Sequence, residues 1–541
     1  MTVVYHRAYA GMRPRQAPET LNPGEATYVL NARLDGNDIE PWNQPSTVLA
    51  LTSGSPIKTI YRFGQDLTVD TQYWFQFTTD VNIAKGPIND DTEERTYWTG
   101  DGYPKKTKAS LATGGTPYPY ASLRMGLPQP SYTPVVTVNG TATNPDDPAN
   151  TVIYKVVYVS SWGEAGKPSA ASNIATYRPG QTPRVTLPAV PSGAYDITKV
   201  WIYRSNTGTA STQYQFAAEV AVGTSYWDDT VASSALGAVM VSANFDAPDD
   251  SMVGLTSVAN EVMAGFFGNQ LCYSEPGYPY AWPIKYRQSL DAPIVAIGSF
   301  DQTTVVSTKK SITLFTGIDP INVTAQKLAD TRVCVSKRSM VEALGGVVYA
   351  SAVGLMLIDG SGIRNLTEQL MARRDWQAYA PESMQVFAVE NRLLVSFDTG
   401  TRQGTLILSM GQDSNMAELS LVATGGFVDR RTDSLYLVVN NTIVKWNGGT
   451  PYTATWRSSV TWLPVKSCMR TARVDADVYP VTFSLYADWN KIFTTLVYDN
   501  QPFRLPSGYR AHRFQYEVQL TGRISSSGIA TSTAELMNGA A

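Results

Sequence analysis

Short apolar runs separated by turn residues are the strongest constraint on this chain. Between residues 266 and 367 they read FFGNQLCYSEPGYPYAWPIKY, PIVAIGSF, TTVVST, SITLFTG, GGVVYAS, GLMLIDG and SGIRNLT, with Asp301-Gln302 and Lys309-Lys310 among the breaks. Val, Ile, Thr and Tyr fill the runs while Gly, Pro, Asp, Asn and Lys punctuate them, which is the pattern of antiparallel hairpins. A run this short cannot bury a core alone, so the hairpins must stack as sheets. Sustained over hundreds of residues, the rhythm predicts a β-propeller or a set of β-sandwiches. The expectation is a propeller body interrupted by an inserted sandwich. No blade motif repeats, so the blade number stays open.

Composition narrows the class further. The 541 residues are enough for about three domains. With 43% hydrophobic and 16% charged residues the chain is globular, and its 30 Tyr, 12 Trp, 41 Gly and 32 Pro suit an all-β fold. A formal net charge of −3 gives no general attraction to nucleic acid. Cys272, Cys334 and Cys468 are odd in number and far apart. They predict free thiols and folding in a reducing compartment rather than a disulfide framework. The opening MTVVYHRAYAGMRPRQ lacks the apolar core of a signal peptide. The longest apolar stretch, residues 343–358, is broken by glycine and shorter than the roughly 20 residues of a bilayer span. It predicts two buried strands around a turn near residues 352–354.

Taken in order, residues 1–50 have little strand periodicity and read as an N-terminal arm that packs on something else, the alternative being a lead-in wrapped on its own propeller, with one short helical segment over 23–33. Strand rhythm begins in the first part of the propeller, residues 51–128. At about Gln129 the composition shifts to Pro, Thr, Asn and Asp, and residues 129–236 form a unit of their own. Alternation is clear in YKVVYVS (154–160) and TKVWIYR (198–204). Several short strands in about 100 residues predict an Ig-like sandwich. Its SWGEAGKPS segment, residues 161–169, resembles a loop of fibronectin type III modules. The propeller pattern returns over 237–451, with a helical piece over 368–380, and residues 452–541 predict a separate C-terminal β domain. The fold class is therefore all-β, a β-propeller body interrupted by a fibronectin type III/Ig-like β-sandwich, with a C-terminal β domain.

Catalytic and metal chemistry find little purchase. The only two histidines, His6 and His512, lie at opposite ends of the chain, which argues against a Ser-His-Asp triad or a multi-histidine metal site. No G-x-S-x-G, Walker A loop, dinucleotide fingerprint or C-x-x-C occurs. Glycosidases need only carboxylates, and Ser396-Phe397-Asp398-Thr399-Gly400 resembles the S-x-D-x-G Asp box of sialidases. It occurs once and lacks the following Trp, so Asp398 and Gly400 read as hairpin-turn residues. The cluster Asp90, Asp91, Glu93 and Glu94 lacks the spacing of a calcium loop and reads as a solvated turn. The aromatic loop over 273–282, YSEPGYPYAW, reads as bracing for a crossing rather than a contact surface for sugar or protein. The expectation is no enzyme, with no catalytic, cofactor-binding or metal residues and no cofactor.

Several motifs together resemble one family. The opening PRQAPETLNPGEATYVLNARLDGNDIEPW is similar to the start of tail proteins from short-tailed bacteriophages. RTYWTGDGYPKKT (95–107), Ser274-Glu275-Pro276 with Ala281-Trp282-Pro283, the Gly354–Gly360 run and PFRLPSGYR (502–510) fit the same pattern. The chain resembles the tail nozzle, or tail tubular protein B, family over nearly its whole length. The resemblance implies a structural virion protein forming the distal tail tube, a conduit and gate for DNA ejection, assembled in the host cytoplasm. It implies a homohexamer below a tail adaptor, bearing tail fibres or spikes and a tail tip or needle. Viral double-stranded DNA would pass through without sequence-specific binding, and no stable membrane insertion is expected. The alternative is a propeller-type carbohydrate-binding or polysaccharide-degrading tail protein.

Overall fold

The computed structural model describes all residues except 1–2, 53, 55, 65–67, 89–90, 208–211, 411–414 and 541, with backbone alone at 207, 212 and 538–540. The chain is all-β and divides into two compact units, residues 1–78, 309–312 and 328–541, and residues 79–308 and 313–327.

The second unit holds three four-stranded antiparallel sheets. One has the order Leu123–Arg124, Lys105–Thr107, Thr96–Thr99, Asn82–Lys85. The next two run in simple sequence order from Val253–Val258 to Gln288–Ser289 and from Ile294–Phe300 to Thr324–Lys327. Strand Val253–Val258 packs against both Asn82–Lys85 and Ile294–Phe300, so neighbouring sheets meet along these strands. Tight turns make the meanders. Asn260 and Glu261 both take left-handed φ, 59° and 56°, as a two-residue hairpin loop requires.

Between these sheets lies a self-contained module. Among the described strands, those from Val136 to Asp228 pair only with one another. Val136–Gly140, Gln181–Thr186 and Tyr226–Asp228 form one sheet, and Tyr154–Ser160, Ile197–Thr207 and Thr212–Ala221 another, with a small pair beside them. Val136 and Val185 from the first sheet share a core with Tyr154, Val156 and Ile202 from the second. The module is thus two-layered, as its period-2 alternation requires.

The first unit holds further sheets. Val341–Ala343 through Gly362–Asn365 form a four-stranded meander, and Gln385–Val389 through Asn415–Leu419 form another. Gly425–Asp429, Ser434–Val439 and Thr442–Lys445 form a third, closed by Ser46–Ala50 from the start of the chain. Their leading strands neighbour one another in series. Val341–Ala343 packs on Gln385–Val389, which packs on Gly425–Asp429, which packs on Thr59–Arg62. Glu390-Asn391 and Asn440-Asn441 supply pairs of left-handed residues at hairpin turns within these sheets. The residue 343–358 stretch is two buried strands, Gly346–Ser351 and Gly354–Asp359, joined by a tight turn.

Two expectations are corrected. The helical segment over 23–33 is instead strands Ala26–Leu30 and Ala32–Arg33. Residues 1–50 are woven through the first unit, in place of the arm expected to pack on something else. Val3–His6 pairs with Ile524–Ala530. Ala26–Leu30 lies between Asn415–Leu419, to which it is parallel, and Ala454–Ser458. These strands take their partners from the far end of the chain, so local periodicity does not reveal them. Through Ala26–Leu30 the C-terminal strands join the sheet of Gln385–Val389 to Asn415–Leu419, and one hydrophobic core runs through both. The helical piece over 368–380 contains one short helix, Arg373–Gln377.

Candidate functional site

A cluster of charged and aromatic side chains in the second unit surrounds Trp162. Strands Thr96–Thr99 and Lys105–Thr107 direct Lys106 inward, and its ammonium, fully buried, pairs with Glu164. Lys106 Nζ lies 4.4 Å from the centre of the Trp162 ring, with Lys108 at 5.6 Å and the Arg95 guanidinium at 5.9 Å. Three cations thus face one indole, an arrangement favoured by the ring quadrupole. Nearby, Arg124 lies over Tyr103 at 4.4 Å and Tyr195 at 5.0 Å. Lys167 pairs with Asp246 at 2.7 Å. Gly126, with φ of 76°, lets the backbone approach Pro248 and the Tyr280 carbonyl, where a Cβ would stand 2.7 and 2.9 Å away. The sequence segments RTYWTGDGYPKKT and SWGEAGKPS therefore touch, fixing the inserted module to its neighbouring sheet. No spacing rule joins segments this far apart, so their contact is not legible in the sequence. Burial beside Glu164 pushes the phenols of Tyr97 and Tyr280 well above the usual range, so both stay protonated near neutrality. The cluster is suited to holding the inserted module against its neighbouring sheet.

The other candidates raised by the sequence have the following surroundings. Asp91 accepts from the backbone of Glu93 and Arg95, Glu93 pairs with Lys108, and Glu94 pairs with Lys85. Asp90 lies outside the described residues. In the aromatic loop, Tyr273 and Trp282 are buried and Tyr278 is 38% exposed. Trp282 Nε1 donates to the Pro279 carbonyl, and Phe245 and Tyr278 pack with ring centres 4.9 Å apart. Among the described residues no group of three or more His, Cys, Asp and Glu could hold a metal ion. Burial pushes the Cys272 thiol up to about 12 and the Cys334 thiol to about 11.

The two histidines both enter the sheets of the first unit. His6 Nδ1 shares a 2.6 Å hydrogen bond with the Tyr516 hydroxyl, and Tyr516 and Tyr9 both bond to Ser527 Oγ. Burial lowers the His6 imidazole to about 4, so it stays neutral near pH 7. His512 Nδ1 bonds the Leu463 carbonyl and the ring stacks on Trp462.

Asp398 caps a turn, as its sequence context predicts. Its carboxylate accepts from Gly400 N at 2.8 Å and from Gln403 Nε2 at 2.7 Å, and these bonds hold it below the usual carboxylate range. The turn borders a cleft of about 330 Å³ whose lining also includes Lys58, Arg338 and Gln385. Asp398 is the one carboxylate among the described lining residues. Acid–base hydrolysis of a glycoside ordinarily needs two.

No family model matches the chain, and no curated protein does. Solved structures that resemble it do so weakly. The extracellular domain of BT4673 from B. thetaiotaomicron is 9% identical with a TM-score of 0.32, covering 89% of this chain. The chain spans only 52% of that domain's length. An exo-β-1,3-galactanase from Phanerochaete chrysosporium is 10% identical with a TM-score of 0.20, covering 70% of this chain and 100% of the galactanase. Likeness at this level names no family and transfers no activity.

Proposed function

We propose that this chain is the nozzle subunit of a short-tailed bacteriophage, a structural protein of the distal tail tube through which DNA leaves the particle. The supporting observation is the joint occurrence of the nozzle-like motifs at positions on which the fold depends. The opening motif supplies the strand Ala26–Leu30 and buries Trp42 against Trp446, with ring centres 5.3 Å apart. RTYWTGDGYPKKT supplies Arg95 and Lys106 to the Trp162 cluster. In Ala281-Trp282-Pro283, the tryptophan fills a core. In this reading the four-stranded meanders are blades of a propeller, and the module over 136–228 is its fibronectin-like insertion. Six copies form a ring beneath a tail adaptor and carry fibres or spikes, with no catalytic step of their own.

A conduit must not grip its cargo. Each phosphate neutralised by Lys or Arg adds salt-sensitive affinity, so the formal charge of −3 suits free passage. We therefore expect a neutral or acidic channel wall. A continuous ring of Lys or Arg around the channel would count against this.

Immunogold electron microscopy of purified virions, with antibody against this chain, tests the assignment. Gold at the distal end of a short tail, with six-fold averages showing an axial channel, supports it. Gold on peripheral spikes would favour the carbohydrate-directed alternative, and unlabelled particles would remove the virion assignment.

A further inference from the structure

The cleft beside Asp398 opens over strands Gln385–Val389, Arg392–Asp398 and Gln403–Ser409. Arg338 Nη2 donates to the carbonyls of Lys58 at 2.8 Å and Thr424 at 2.9 Å, tying two walls together. Asp398 is held in turn by Gly400 and Gln403. Gly404 keeps the floor open, since a Cβ there would lie 3.0 Å from the Phe397 ring. Two of the lining residues carry side-chain polar groups with no partner among the described residues, the exposed Lys58 and the half-buried Gln385. Pro56, Val422 and Ala423 add an apolar strip.

We propose that this cleft binds an acidic sugar residue, a uronic acid unit, with Lys58 taking its carboxylate and Gln385 and Asp398 taking its hydroxyls. The mixed lining selects this class. A cation and a carboxylate line one cleft of about 330 Å³, so a ligand that presents both an anion and hydrogen-bond donors matches it. A carboxylate accepts at about four sites, and Asp398 uses two, leaving room for vicinal hydroxyls. An apolar strip beside polar groups suits the C–H face of a pyranose. An acidic peptide fits less well, because its side chains carry no hydroxyl donors for the free acceptor sites of Asp398. The proposal does not depend on the nozzle reading.

Calorimetric titration of the full chain tests it, using a galacturonic acid trisaccharide, its neutral methyl ester and a hexaglutamate peptide. The acidic trisaccharide is expected to bind saturably, and the ester roughly tenfold or more weakly, corresponding to loss of one charged contact. Lys58→Ala and Gln385→Ala are each expected to weaken trisaccharide binding with an unchanged melting temperature. No saturable binding at millimolar concentration, equal binding of the ester, equal or tighter binding of hexaglutamate, or indifference to Lys58→Ala would each overturn the proposal. Because the readout is sugar affinity rather than position in a virion, its failure leaves the nozzle assignment untouched.

Discussion

The ammonium of Lys106 is fully buried, paired with Glu164, and 4.4 Å from the centre of the Trp162 ring. A buried charge stripped of its partner cannot recover its lost hydration. Glu164→Gln or Lys106→Met should therefore each destabilise the second unit by about 3–5 kcal/mol. Lys106→Met combined with Glu164→Leu should recover most of that loss, because the charges are removed together. Urea unfolding of the single and double variants measures both effects.

The inserted module has its own buried pair. Arg204 is 1% exposed, and its Nη1 lies 2.6 Å from Asp229 Oδ2 and 2.7 Å from the Val231 carbonyl. Asp229→Ala strands this guanidinium and also removes the acceptor of the Tyr154 hydroxyl. A loss of about 3–5 kcal/mol is expected, read as earlier unfolding of Trp201 and Trp227 fluorescence. An unchanged transition would show that the pair does not hold the module's core.

His6 makes the first unit sensitive to acid. Its folded-state value of about 4 lies below its ordinary value of 6.5, so the unfolded chain binds the proton more tightly. The stability linked to His6 is present above pH 6.5 and is lost as pH falls through about 4, amounting to about 3 kcal/mol. His6→Phe should flatten the fall in melting temperature between those pH values. A parallel pH profile in the variant would exclude His6 as the source.

Gly24 has φ of 89°, and a Cβ there would collide with the Ala8 carbonyl oxygen. Gly24→Ala is thus disfavoured by backbone conformation and by space, and should cost about 1–3 kcal/mol. Faster hydrogen exchange in Val3–His6 and Ala26–Leu30 would locate the damage in the N-terminal weave.

Part of the molecule is legible in its residues alone. The strands Gly346–Ser351 and Gly354–Asp359 follow from their β-branched and apolar residues and the intervening turn. The Asp398 turn follows from the local hydrogen bonding that Asp and Gly favour. The Trp162 cluster is not legible in this way, since Arg95, Lys106 and Lys108 read only as charges on a strand and its flank. The opening segment misleads for a different reason. Its Pro, Gly and Asn suggest an arm with a short helix, whereas its strands are dictated by partners distant in sequence.

That this chain is built of short β-strands follows from its residues taken a few at a time, because side-chain alternation and the preference of Gly, Asn and Asp for turns are local properties. Which strands meet is a property of the folded molecule alone. His6 and Tyr516 are 510 residues apart in the chain and 2.6 Å apart in the fold. Such pairing is settled by hydrogen bonding and burial summed over a whole sheet, which no local window contains.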